Sequence, residues 1–184
     1  MTDKPKFETC SDSRVAFSGV FLKIHQDTVA LPDGGSAIRE YIQHPGAVAV
    51  LALLPNGKLL LEQQFRYALK REFIEIPAGK IDPGEDPLTT AQRELQEETG
   101  YRAANWRHLG TGHACIGYAD EKIEYFLATG LTAGASQLDE GEYIDLLEMT
   151  PQEAIDNVFN GSITDSKSIV GLFWLRELML RGEI

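Results

Sequence analysis

The sequence predicts an α/β protein, an α/β/α sandwich with helices on two faces of a mixed sheet, preceded by a small N-terminal antiparallel β-sheet. Three observations predict it. Ala47 to Leu54 is nearly all apolar, as a strand covered on both faces must be. Two helical segments follow it, a short one after Asp86 and a long apolar one from Asp165 to Arg181, and helices flanking a buried strand give this layering. Before His44 there are only short alternating stretches broken by turns.

In chain order, residues 1 to 12 are polar and read as loosely held. Arg14 to Phe17, Val20 to Ile24 and Ser36 to Gln43 alternate as strands do, with Pro32-Asp33-Gly34-Gly35 as a turn. His44-Pro45-Gly46 is a break, which divides the chain into an N-terminal β-sheet region, 1–44, and a main domain, 45–184. A sheet this small cannot bury a core alone, so it needs the main domain or another subunit to pack on. Asn56-Gly57 is a hairpin turn that pairs Leu59 to Phe65 back onto the apolar strand. Glu72 to Ile76 is a further strand, leading into Pro77-Ala78.

Asp86 suits a helix N-cap, Pro87 the first helical position and Gly100 the C-terminal cap, with Leu88, Ala91 and Leu95 as the apolar stripe. Trp106 to His113, Glu121 to Thr129 and Ile144 to Met149 are strand candidates. Thr150-Pro151-Gln152-Glu153 has capping-box spacing and opens a helix that Gly161 ends. The last helix, apolar through Ile169, Val170, Leu172, Phe173, Leu175 and Leu178, is expected to pack on the sheet opposite the Asp86 helix. Lys167 near its start reads as a surface charge.

Composition narrows the function. The chain of 184 residues fits one domain of moderate size, or a core with a small appendage. A 43% apolar and 24% charged composition is ordinary for a globular protein. A net charge of -11 argues against a nucleic-acid partner. Cys10 and Cys115 give no disulfide framework, and a cytoplasmic enzyme is the natural reading. No apolar run approaches the roughly 20 residues of a membrane span, so no membrane partner is expected.

Glu94, Glu97 and Glu98 share one helix face. Like charges three and four apart cost a helix roughly a few tenths of a kcal/mol per pair, and these sit toward the negative end of its dipole. A hard divalent cation, Mg²⁺ or Mn²⁺, reverses both effects. Arg93, one turn before Glu97, is placed to hold that carboxylate. A solvated acidic helix face would use the same residues, and the carboxylates alone do not separate the two.

The wider stretch does. Gly79, Glu85, Arg93, Glu94, Leu95, Glu97, Glu98 and Gly100 match the Nudix box, G-x5-E-x7-R-E-U-x-E-E-x-G-U, at every named position but the last, where Tyr101 replaces a bulky aliphatic. The chain therefore resembles the Nudix hydrolases. The resemblance implies a Nudix-type α/β/α sandwich and metal-dependent cleavage of a diphosphate linked to another group. It implies Glu94 and Glu98 as main metal ligands, with Glu97 and the Ala78 carbonyl as further ligands.

Flanking segments are similar to the ADP-ribose pyrophosphatase branch. Arg66, in QFRYA, and Arg39, in IREYIQHPGAVAV, match positions that place arginine near phosphate, and its fork suits two oxygens at once. IGYADEKIEYFLA resembles the segment carrying the branch's S-P-G, so Gly117 and Glu121 match substrate-binding positions while Ile116 replaces the proline. LDEGEYIDLLEMT resembles the loop supplying the catalytic base, with Glu140 as base and Glu142 as supporting acid. By composition that loop is either a closing lid or a solvated hairpin tip. Phe21 and Tyr41 are either adenine-stacking residues or core.

The resemblance implies hydrolysis of ADP-ribose to AMP and ribose 5-phosphate. GDP-mannose, another NDP-sugar or a dinucleotide such as NADH are alternatives. A different class would be a non-catalytic Nudix-fold nucleotide-binding module. Relatives with interlocked N-terminal sheets imply a homodimer.

Overall fold

A computed structural model of the chain describes residues 7–138 and 141–184. They form two compact units. One holds the described residues up to His44 together with Cys115–Glu121; the other holds Pro45–Ala114 and the described part of Lys122–Ile184.

In the first unit, β1 (Thr9–Ser18), β2 (Lys23–Ala30) and β3 (Ser36–Gln43) form an antiparallel sheet in that order. β1 starts within the stretch read as a loose polar tail. Its polar residues are matched across the ladder: Ser13 donates to Asp27 at 2.6 Å and Arg14 Nε to Gln26 at 2.9 Å. Cross-strand pairs of this kind support a strand whose faces both stay wet, where a hydrophobic pattern gives no signal. The strand expected at Val20 is a turn instead, closed by the Gly19 N–H donating to the Leu22 carbonyl at 2.8 Å, so pairing starts at Lys23. Cys115–Glu121 joins this unit by bridging to β3: Ile42 N–H donates to the Tyr118 carbonyl at 2.8 Å and Asp120 N–H to the Ile42 carbonyl at 3.2 Å.

The second unit contains β4 (Ala47–Leu53), β5 (Leu59–Arg66), β6 (Arg71–Glu75), β7 (Ala78–Lys80), α1 (Pro87–Thr99), β8 (Tyr101–Gly112), β9 (Ile123–Ala133), β10 (Ile144–Met149), α2 (Pro151–Phe159) and α3 (Ser166–Leu180). The sheet runs β10-β5-β4-β9-β8, with β6 paired to β5 and β7 to β4. It is mixed, because β4 and β9 run parallel and the other pairs antiparallel. β4 lies at its centre, which explains its unbroken apolar run. Ala49 and Leu51 face a core shared with Ala154 and Ile155 of α2 and Leu172 and Leu175 of α3. Val48, Val50 and Ala52 face a second core closed by Ala91 and Leu95 of α1. The α/β/α sandwich is thus built by alternation along one strand.

Several boundaries move. β8 begins at Tyr101, earlier than Trp106, paired to β9 from Tyr101↔Ala133 onward; its opening residues are half-exposed or exposed, so no apolar run marks them. Leu88 is 37% exposed, and the buried face of α1 is instead Thr90, Ala91, Leu95, Glu98 and Thr99. The caps of α1 are as expected: Asp86 accepts from the Leu88 and Thr89 N–H groups, Pro87 opens the helix, and Gly100 is left-handed at φ 75°.

Lys167 is not a surface charge. Its ammonium binds the Glu75 carboxylate and, at 3.0 Å, Asp165, the N-cap of α3. Glu75 is 4% exposed and also accepts from Arg66 Nε and Nη2 at 2.7 and 2.8 Å. A carboxylate so deeply buried needs such partners. Ser168 completes the seam by accepting from the Ile76 N–H at 2.9 Å while donating to Asp165 at 2.6 Å.

Two stability tests follow from these contacts. A Cβ at Gly100 would sit 2.8 Å from the Ser136 nitrogen and 3.0 Å from the Gly134 oxygen, at a positive φ. Gly100→Ala is expected to lose about 2 kcal/mol or more in urea unfolding; an unchanged midpoint would show that the cap relaxes freely. For Glu75, burial pushes the carboxyl up, but Arg66 and Lys167 outweigh it and hold it below the usual range. A depressed folded-state pKa adds stability above the unfolded value and loses it as pH falls through the folded value. Wild type should therefore exceed Glu75→Gln in Tm at pH 7, with the gap closing below about pH 4. A gap that stays constant down to pH 3 would refute the pairing.

Candidate active site

The C-terminal half of α1 lies over β7, and Gly79 permits the contact. A Cβ there would be 2.0 Å from the Glu94 carboxyl carbon, so the missing side chain makes room for the carboxylate against the strand. One residue earlier, the Ala78 N–H donates to Glu98 Oε2 at 3.1 Å. Arg93 gathers the other acids. Its Nη1 donates to Glu94 Oε1 and Glu97 Oε2, each at 2.9 Å, and its Nη2 to Glu85 Oε2 at 3.0 Å. Thr90, fully buried, donates to the same Glu85 oxygen at 2.8 Å. Glu85, Arg93, Glu94 and Glu97 thus form one bonded cluster, with Glu98 on the buried side of the helix.

Burial sets the electrostatics. Glu98 is 8% exposed; burial, then the charges of Glu62 and Glu94, hold its carboxyl well above the usual range. Burial also raises Glu94, against the pull of Arg93. Arg93 holds Glu85 below its ordinary value. Glu142 lies close enough for its charge to raise both Glu94 and Glu98. Glu140, the base expected on the same loop, lies outside the described residues.

Sequence reasoning missed Glu62. It stands on β5, 3% exposed, and burial pushes its carboxyl up to about 8. It lies within hydrogen-bonding reach of the Glu98 carboxyl. Its Oε1 has no hydrogen-bond partner among the described residues. The available signal was an acid directly after Leu59-Leu60-Leu61 in an otherwise apolar strand.

This donor set suits a hard divalent cation. It offers carboxylate oxygens, one of them buried and unsatisfied, crowded so that each raises its neighbours' energy. Among the described residues no three His, Cys, Asp or Glu side chains already stand together as a formed metal cage. Arg93 is what draws Glu94 and Glu97 together here.

Arg66 lies on the same strand as Glu62, four residues on, and its charge bears on both Glu62 and Glu98. Its Nε and Nη2 bind Glu75, and it borders an open cleft of about 330 Å³ with Phe73, Thr164 and Lys167. Arg39, Gly117 and Glu121 belong to the first unit. Arg39 is paired with Glu8 at 2.9 Å, and Glu121 is 3.8 Å from His44 Nε2. Gly117 has open space where a side chain would go, so nothing steric requires glycine there. Ile116, at 85% exposure, and Gly117 line a cleft of about 250 Å³ with Arg39, Tyr41 and Tyr118. Phe21 is 65% exposed and so is not core, while Tyr41 stacks on His25 at 5.4 Å between ring centres.

No helix among the described residues is long and apolar enough to cross a membrane. The NUDIX domain pattern matches residues 43–169. The methanol dehydrogenase activator of Bacillus methanolicus is 42% identical over 162 residues, 87% of this chain and 88% of that protein. The ADP-ribose pyrophosphatase of Bacillus subtilis (strain 168) is 40% identical over 162 residues, with the same two shares, 87% and 88%. The crystal structure of an ADP compounds hydrolase shares the fold, with a TM-score of 0.85 over 96% of this chain and 97% of that one at 20% identity. The carboxylate cluster of α1 is thus the Nudix box in its folded form, and the chain belongs to the Nudix hydrolase family.

Proposed function

We propose that the chain hydrolyses the diphosphate of a nucleoside diphosphate linked to another group, with ADP-ribose, giving AMP and ribose 5-phosphate, as its first substrate. The observation that carries this is the complete set of box glutamates, drawn together by Arg93 and by burial, within the electrostatic reach of Arg66. The 40% identity to an ADP-ribose pyrophosphatase supports the choice of substrate.

Glu94 and Glu98, with Glu97 and the Ala78 carbonyl, would hold Mg²⁺ or Mn²⁺. When bound, such an ion neutralises phosphate charge and lowers the pKa of a water. The chain's own residues do the rest. Arg93 keeps Glu97 and Glu94 in place. Arg66 offers Nη1, which makes no hydrogen bond to the described residues, to a phosphate oxygen while Glu75 fixes the other edge of its guanidinium. Water attacks phosphorus in line, the bridging P–O bond breaks, and the bridging oxygen leaves with the other phosphate. Glu140 takes the water's proton, supported by Glu142. Arg39, Gly117 and Glu121 are the remaining substrate contacts. Residues 1–44 serve as the dimerisation element of a homodimer, and 45–184 as the hydrolase domain.

A second reading has its own observation: the relative at 42% identity is a methanol dehydrogenase activator. Under it the chain acts on another protein, and nucleotide turnover is incidental or absent.

A substrate panel with Mg²⁺ separates the two. ADP-ribose, GDP-mannose, ADP-glucose and NADH are incubated and the products resolved by chromatography. AMP is expected fastest from ADP-ribose; a different winner moves the specificity, and no product from any favours the second reading. Glu98→Gln should lower turnover at least about 100-fold while circular dichroism stays that of the folded protein. A fully active variant would sink the assignment of Glu98.

A further inference from the structure

We propose that Glu62 is an additional ligand of the divalent-cation site, binding alongside Glu98; this rests on the reading of Glu94 and Glu98 as ligands given above. Alternation along β5 fixes its direction. Leu59 and Leu61 enter the core shared with α2 and α3, and Leu60 enters the core closed by α1. Glu62 therefore extends from the α1 face of the sheet. It pairs across the ladder with Glu75 on one side and Leu146 on the other. At 3% exposure it is almost wholly withdrawn from bulk water.

Its surroundings satisfy it only in part. Arg66 and Lys167, the cations whose charge bears on Glu62, are both hydrogen-bonded to Glu75. Oε1 has no partner among the described residues, and the carboxyl faces that of Glu98. A buried acid left this way is costly, and a strand interior gains nothing from it structurally. A hard cation bound at Glu98 supplies what is missing: positive charge and a demand for oxygen ligands beside an unused one.

Mn²⁺ binding to the full chain, without nucleotide, tests this by the electron paramagnetic resonance signal of free Mn²⁺. Wild type, Glu62→Gln and Glu98→Gln are compared, with metal-free Tm measured for each. Glu62→Gln is expected to bind Mn²⁺ about 10-fold more weakly or worse, while its metal-free Tm equals or exceeds that of wild type. Affinity down with stability up is a pattern that a merely structural role does not produce. If Glu62→Gln does not fold, Glu62→Leu, matched to the apolar strand, takes its place with the same expectation. Wild-type or tighter affinity in the Glu62 variant, beside loss in Glu98→Gln, overturns the role of Glu62 alone. Wild-type affinity in Glu98→Gln overturns the parent reading of the site, and the proposal with it.

Discussion

Crowding of acid on one helix face is the constraint to which the rest of the second unit answers. Glu94, Glu97 and Glu98 occupy a single turn near the end of α1, where mutual repulsion and the helix dipole both oppose them. The fold accommodates them locally. Arg93 spans three carboxylates, Gly79 gives up its side chain to Glu94, and the Ala78 N–H supports Glu98. Each device belongs to β7 or α1, within one short segment of the chain. The segment can therefore be set on the sheet as a unit, with Ala91 and Leu95 seating it on β4.

The other side of the site is organised by a second buried acid. Glu75 binds Arg66 from β5 and Lys167 from α3, while the neighbouring Ile76 N–H is held by Ser168. β6 thus joins the helix layer that packs on the far core to Arg66 on β5. Two residues beyond Ile76 stands Ala78. Lys167 and Ser168 thus tie α3 both to the acid that holds Arg66 and to the stretch leading into Ala78, whose N–H supports Glu98.

Much of this was legible in the sequence, for a physical reason: the box is local. Caps, spacing and acid clustering all fall between Gly79 and Gly100, so their neighbours along the chain are also their neighbours in space. The central strand and the hairpin at Asn56-Gly57 were legible for the same reason. What stayed hidden depends on partners distant in sequence. Glu62 meets Glu98, and Lys167 meets Glu75 across 92 residues. No local pattern announces either pair, and Lys167 reads as surface until Glu75 is placed beneath it. Arg14 to Phe17 was legible as the second half of β1, but its start at Thr9 was not, because Thr9 to Ser13 is polar but for Cys10 and exposed throughout, so no apolar alternation marks it. Cys115–Glu121 is attached to β3 by backbone hydrogen bonds to Ile42, which side-chain patterns do not report, and just beyond β3 by the Asp120 carboxylate accepting from the His44 N–H.

The central claim is that the acid face of α1 is a cation site rather than a solvated surface. The most direct test is the Tm of the wild-type chain against Mg²⁺ concentration, with K⁺ at matched ionic strength as reference. A ligand that binds only the native state raises stability as RT ln(1 + [L]/Kd). The account predicts a rise in Tm that continues with the logarithm of Mg²⁺, is absent with K⁺, and is lost in Glu98→Gln. Equal shifts with Mg²⁺ and K⁺ would reduce the effect to screening of the net charge of -11 and contradict the account.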